Sequence, residues 1–225
     1  MREVTLMRRL SGVTLAVVIL GSHVSPGVAQ DDTWQNKWYW GAQAGAYIYS
    51  TPSQSSQAAL EVGAHWLITA RQVGLYIGLD QVFFGSTATS AIADASATGG
   101  LRTVDFTSGR RVQAELYAFP MSGTLQVYGG GGFAVNMVTD ALPQGTFASS
   151  QQEQAALRQL DAVTTKAFFV LSGGAQWRMG RWAVFATYHL MPEAREFLIS
   201  SEQHVIRGGI RYALTAASQD VTTAR

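Results

Sequence analysis

The chain has 225 residues, 47% of them hydrophobic and only 14% charged, with 23 glycines, no cysteine and a formal charge of +1. Globular domains usually carry about 25% charged residues, so this chain is short of charge for a water-facing surface and too apolar to be disordered. The missing cysteines exclude a disulfide scaffold, a Cys-ligated zinc site and a lipoprotein anchor, and the near-zero charge leaves no footprint for nucleic acid.

Arg2, Arg8 and Arg9 precede an apolar stretch, Leu10 to Leu20, which runs into small residues ending at Gly27-Val28-Ala29. A basic start, an apolar core and an A-x-A-like site mark a secretory signal peptide, so residues 1–29 are expected to be removed. A membrane anchor is the alternative, but the apolar stretch as a helix spans about 16 Å against about 30 Å of hydrocarbon. Arg8-Arg9 is a weak twin-arginine signal. Removal of residues 1–29 takes away three arginines and one glutamate and leaves a nearly neutral exported chain.

From Trp38 onward the sequence alternates with a period of two, the pattern of strands with two different faces. In Trp38 to Ile48 one face reads Trp38, Trp40, Ala42, Ala44, Ala46, Ile48 and the other Tyr39, Gly41, Gln43, Gly45, Tyr47. A second strand, Ala58 to Thr69, sets Leu60, Val62 and Trp66 against Glu61, Gly63 and His65. The third, Leu75 to Asp80, ends its mixed face on Asp80, and the fourth, Arg111 to Ala118, sets Arg111, Gln113, Glu115 and Tyr117 against Val112 and Leu116. Leu125 to Val135 and Ala167 to Trp177 repeat the theme with inward glycines, Tyr128, Ser172 and Gln176. Trp182 to Leu190 places Phe185 among its polar positions, beside Thr187 and His189. His204 to Leu214 carries Arg207, Gly209 and Arg211 on its mixed face. Eight strands of about ten residues suit a tilted bilayer crossing, and no apolar run is long enough for a transmembrane helix.

The connections carry a second signal. Ala70 to Val73, Pro120 to Gly123 and Arg178 to Arg181 are short, whereas Gly85 to Leu101 and Thr139 to Asp161 are long. Short turns on one rim and long loops on the other is the pattern of an outer-membrane barrel with periplasmic turns. The expectation is therefore an all-β fold, an eight-stranded antiparallel up-and-down transmembrane β-barrel over residues 30–214. Both termini fall in the periplasm, with 215–225 a short periplasmic tail. One short loop helix is predicted over 150–161, from the capping box Ser150-x-x-Glu153 and the spacing of Ala156, Leu157 and Leu160. The small-residue stretch Ser86 to Gly100 is expected to be a mobile loop. Trp38, Trp40, Trp66, Trp177, Trp182 and Tyr212 gather near the turn ends on the apolar face, as an aromatic girdle at a membrane interface would.

The mixed faces define the lumen. A luminal charge network is expected among Glu61, Asp80, Arg111, Glu115, Arg207 and Arg211, with Arg207 and Arg211 meeting the three carboxylates, because charges taken out of water must pair. Inward glycines at 41, 45, 63, 78, 130, 132, 174 and 209 leave room for large luminal neighbours and permit close approach of strands. Gly129, Gly131 and Ala134 fit a dinucleotide-binding spacing only superficially, since no helix follows them. No catalytic, cofactor-binding or metal-ligating set stands out: there is no G-x-S-x-G, no helical His pair, and Ser172 points inward while His204 points outward.

The segment Arg207-Gly-Gly-Ile-Arg-Tyr-Ala-Leu214 resembles the C-terminal signal of bacterial outer-membrane barrels, with Arg207, Gly209, Tyr212 and Leu214 in its four defined places. Strand count and loop asymmetry resemble the small OmpA/OmpX-type barrels. Two departures stand out: Thr215 to Arg225 follow Leu214, and no peptidoglycan-binding domain follows the barrel. The resemblance implies insertion by the barrel-assembly machinery from an unfolded periplasmic state; outer-membrane lipid is the expected surroundings and a monomer the expected state. The function expected is that of a structural or surface-interacting protein of the outer membrane with a side-chain-filled polar lumen, no catalysis and no cofactor. A narrow channel for small solutes and a lipid A-modifying barrel enzyme are the alternatives. A soluble lipocalin-like binder fails, since it needs an apolar lumen and a polar exterior.

Overall fold

The computed structural model describes residues 36–85 and 88–214; the expected signal peptide and tail lie outside the described residues. The elements in chain order are β1 (Trp38–Tyr49), β2 (Gln57–Ala70), β3 (Val73–Phe83), β4 (Thr89–Ala93), β5 (Leu101–Asp105), β6 (Ser108–Ala118), β7 (Leu125–Thr139), β8 (Leu142–Pro143), α1 (Ser150–Val163), β9 (Thr165–Met179), β10 (Trp182–Met191) and β11 (Gln203–Ala213). Eight of these strands close a barrel in the order β1, β2, β3, β6, β7, β9, β10, β11, with β11 returning to β1. Every neighbouring pair is antiparallel, and the closing pair runs from Tyr39 opposite Ala213 to Ile48 opposite His204. Closure leaves the barrel wall without an edge strand.

Parity decides which way each side chain points. On β3, Val73, Leu75, Ile77, Leu79 and Phe83 are exposed while Tyr76, Asp80 and Val82 are buried. The same inversion holds around the wall, where Leu60, Val112, Leu116, Val127, Phe133, Leu171, Val184, Ile206 and Ile210 all face outward. Polar side chains on the outer face (Gln81, Ser108, Arg110, Thr139, Thr165, His204) lie toward the long-connection end, and Arg110 is the one Asp, Glu, Lys or Arg among the outward positions of the barrel strands. No helix among the described residues is long and apolar enough to cross a membrane.

The long connections hold more structure than the sequence suggests. The stretch expected to be a mobile loop contains β4, which joins β5 and β8 in a three-stranded sheet with β5 at its centre. Ser90 and Ile92 anchor β4 because their side chains are buried, at 0% and 4% exposure. The predicted helix is present as α1, but its cap lies one residue earlier than the capping box Ser150-x-x-Glu153 implies. Ser149 Oγ accepts from Gln152 N (3.3 Å), and Gln152 Oε1 accepts from Ala148 N (3.1 Å). Gln152 thus binds the cap on one side and the residue before it on the other, a variant of the capping box shifted by one residue. Ala156 and Leu160 are buried as the spacing predicts, whereas Leu157 is 43% exposed.

Candidate functional site

The barrel interior is filled with side chains and layered along its axis, so the polar lumen expected from the sequence is confined to its middle. At the short-turn end Tyr39, Leu67, Tyr76, Tyr117, Phe119 and Tyr128 form a buried aromatic cluster. At the other end Tyr47, Phe84, Phe106, Phe168 and Val205 pack with loop residues Phe197, Leu198 and Ile199 into a larger apolar plug. The plug segment is tied down by Leu198 N donating to Val163 O (3.1 Å) and by Ser90 Oγ donating to Leu198 O (2.8 Å). Phe197-Leu198-Ile199 is an apolar run inside a loop, a signal present in the sequence and missed there.

Between these layers lie the charges. Asp80 Oδ2 accepts from Arg207 Nη1 at 3.0 Å and from Arg111 Nη2 at 3.2 Å, and its Oδ1 accepts from Gln43 Nε2. Arg111 Nη2 also donates to Glu61 Oε2, while Glu61 Oε1 lies 3.6 Å from Arg207 Nη1. Tyr76 OH donates to Gln43 Oε1 (2.9 Å), extending the cluster toward the aromatic layer. The four ionic members are at most 2% exposed and carry two charges of each sign, the condition for burying them together. On the plug side, Gln203 Oε1 accepts from both Tyr47 OH and Asn136 Nδ2.

Two members of the expected six-residue network stand apart from this cluster. Glu115 pairs with a histidine instead of an arginine, its Oε1 lying 3.2 Å from His189 Nδ1 and 3.5 Å from Tyr117 OH. Arg211 meets no carboxylate among the described residues: its Nη1 donates to Gln176 Oε1 (2.9 Å) and its guanidinium lies 4.0 Å from the Phe185 ring centroid. The aromatic residue that interrupts the polar parity of β10 is thus the platform on which Arg211 rests. His65 lies between rings as well, with centroids 5.2 Å from Tyr76 and 5.0 Å from Phe185. Its ring occupies the space a Cβ at Gly41 would fill, and Asp80 Oδ1 does the same at Gly63. These two glycines provide the close approach the sequence pattern predicts.

Ser172 sits opposite His189 in the β9–β10 register, so the lumen holds the residue types of a Ser-His-Glu triad. They lie between the two apolar layers. His204 faces outward as expected, with Tyr188 OH 2.6 Å from its Nδ1 and Glu202 Oε2 3.9 Å from its Nε2. Among the described residues no group of three or more His, Asp or Glu side chains is placed to hold a metal ion.

On the outer face, Trp38, Trp40, Trp66, Trp182 and Tyr212 form an arc. Trp66, Trp40, Tyr212 and Trp182 follow one another across β2, β1, β11 and β10 in a single row of the register. Trp40 stacks on Trp66 (4.9 Å), Trp38 meets Trp66 edge-on (5.2 Å), and Trp182 meets Tyr212 (4.8 Å) under the guanidinium of Arg181. Trp177 is also outward, on β9. The matching end of β3, β6 and β7 carries Val73, Leu116 and Leu125 instead.

At the loop end, Arg102 of β5 binds the carboxylate of Asp94, donates from Nη1 to Gln144 O (2.9 Å) and lies 4.0 Å from the Phe147 ring centroid. Hydrogen bonds from the Ser96 hydroxyl and backbone N–H, with that of Arg102, hold the Asp94 carboxyl down at about 2.

No protein-family model matches the sequence, and no curated protein matches it. Solved structures do resemble the chain. Neisserial surface protein A superposes with a TM-score of 0.54 at 11% identity, covering 78% of this chain and 96% of that one. Outer membrane protein OprG from Pseudomonas aeruginosa gives 0.47 at 11% identity, over 81% of this chain and 98% of that one. The N-terminal β-barrel domain of Pseudomonas aeruginosa OprF gives 0.45 at 9% identity, over 80% and 98%. The chain thus has the closed eight-stranded fold of the small outer-membrane barrels.

Proposed function

We propose that this chain is an integral outer-membrane barrel that acts as a structural or surface-interacting element, with its long-connection end facing the outside of the cell and its termini in the periplasm. The observation that carries this reading is the inverted polarity of the wall. Large apolar side chains cover the outside while Arg111, Arg207, Glu61 and Asp80 are buried within. Such a surface has no counterpart in a protein made for water, where large exposed apolar patches are confined to interaction sites. In lipid, a closed barrel satisfies every backbone group and tolerates the apolar exterior. The Trp38–Trp182 arc then serves as an interfacial anchor on the periplasmic side, and Arg110 with His204 sits at the opposite interface.

A closed interior favours a role at the loops over passage of solute. The ionic cluster lies between the apolar plug and the aromatic cluster, and its members are at most 2% exposed. The test is reconstitution of the barrel from detergent into planar bilayers, with heat-dependent migration on SDS gels as the fold criterion. A heat-modifiable species that fractionates with outer membranes and carries no steady conductance supports the proposal. A chain that is fully soluble without detergent, or that conducts steadily, overturns it.

A further inference from the structure

We infer that the free edge of β4 is a docking site for one extended peptide segment of a partner protein, with basic residues at its flank. The inference goes beyond the proposed function, which supplies only the compartment in which the partner is met.

The β4–β5 pairing fixes which backbone groups are free. Asp94 N donates to Gly100 O (2.9 Å) and Phe106 N to Ala88 O (3.1 Å), so Ser90 and Ile92, of the same parity, direct their peptide groups at β5. Thr89, Ala91 and Ala93 direct theirs the other way. The pair at Thr89 is occupied by side chains, its N–H donating to Gln54 Oε1 (2.9 Å) and its C=O accepting from Thr51 Oγ1 (2.6 Å). These two side chains stand where a neighbouring strand would lie, and they stop there. The N–H and C=O of Ala91 and Ala93 have no partner among the described residues.

The open rungs face a groove of about 380 Å³ bounded by Ala91 and Ala93 on one side and by the 193–198 segment and α1 on the others. Its lining includes the buried side chains of Ile92, Phe197 and Leu198, an apolar seat for alternate residues of an added strand. Edge strands in water are normally blunted by charges, prolines or bulges. β4 reads Thr-Ser-Ala-Ile-Ala and carries none of the charges or prolines. The bounded groove takes a single chain, whereas a second copy's β4 would arrive with β5 hydrogen-bonded behind it. On the wall Glu193 and Glu196 outnumber Arg195, and all three are exposed, which selects a basic over an acidic peptide. Strand addition of this kind takes affinity from main-chain hydrogen bonds and specificity from alternate side chains.

The test pans a phage-displayed library of random dodecapeptides against the full chain in lipid nanodiscs, and the enriched sequences are synthesised. The expected result is alternating, Lys- or Arg-bearing peptides whose affinity falls at least tenfold with Ala91→Pro and with the double change Glu193→Gln, Glu196→Gln. Heat-modifiable migration confirms that each variant keeps the barrel. N-methylation at alternate peptide positions provides a reading on the unaltered protein: one register abolishes binding and the other leaves it. The proposal is overturned if nothing is enriched over empty nanodiscs, or if binding is indifferent to N-methylation. It is equally overturned if Ala93→Cys yields disulfide dimers of the chain in high yield, since the edge would then pair with a second copy.

Discussion

Arg207 Nη1 lies 3.0 Å from Asp80 Oδ2, joining the last strand of the barrel to its third across 127 residues of sequence. Arg111 Nη2 reaches the same oxygen at 3.2 Å, so one carboxylate holds two guanidinium groups together. Removing Arg207 would leave Asp80 and Glu61 buried with a single cation between them. Arg207→Leu is expected to destabilise the barrel by about 3 kcal/mol, as for other broken buried pairs, and Arg207→Leu with Asp80→Asn should recover part of the loss. Urea titration of the refolded barrel, followed by gel migration or tryptophan fluorescence, measures both. Unchanged stability in the single variant would show that the cluster contributes nothing.

The lipid-facing reading of the wall makes a depth-dependent prediction. Leu79 is 58% exposed midway along the outward row of β3, and Phe83 is 47% exposed toward its loop end. Leu79→Arg is expected to cost about 2–4 kcal/mol in lipid and Phe83→Arg about 0–1 kcal/mol. Refolding equilibria in vesicles would resolve this gradient. Equal costs at both positions would contradict the placement of the bilayer.

At the loop end, the contact of Asp94 with Arg102 should make the β4–β5 hairpin acid-sensitive. The carboxyl is held at about 2 against an ordinary 3.8, with the Ser96 hydroxyl first among the causes and Arg102 next. A depressed value means that the ionised form is favoured in the folded hairpin. Its contribution is therefore full above the unfolded value of 3.8 and is lost as pH falls through about 2. An NMR titration should find the Arg102 Nε–H resonance steady from neutrality to about pH 4 and shifting below it. In Asp94→Asn that shift should vanish.

The cap of α1 gives a local prediction. Ser149→Ala removes the acceptor for Gln152 N and should cost about 1 kcal/mol of helix stability, while Ser150→Ala should cost little. Amide exchange of the first helical turn separates the two variants, and equal effects would place the cap elsewhere.

Much of this fold can be read from residue order alone, because a strand's two faces differ by a single step in sequence. That parity places Trp40 outside and Gln43 inside without any knowledge of the neighbours, and it identifies Glu61, Asp80, Arg111 and Arg207 as companions. It cannot say which companion each one touches. Arg207 and Arg211 lie on the same face four residues apart, yet one meets two carboxylates and the other a glutamine and a phenylalanine ring. Depth in a tilted barrel depends on the stagger between strands, which the alternation does not encode. The loops were less legible for a different reason. Ala91 and Ile92 belong to a sheet only because Leu101–Asp105 and Leu142–Pro143 come back to meet it. Three residues at 197–199 form a plug only because a barrel mouth lies beneath them.

Order of arrival gives the ionic cluster a further meaning. Glu61, Asp80 and Arg111 stand on β2, β3 and β6 and together carry one uncompensated negative charge. Arg207, on the strand that joins β1 at the seam, is the group that cancels it. A wall still open at that seam therefore leaves the cluster with an unbalanced charge, so that closing the wall and neutralising the cluster become one event.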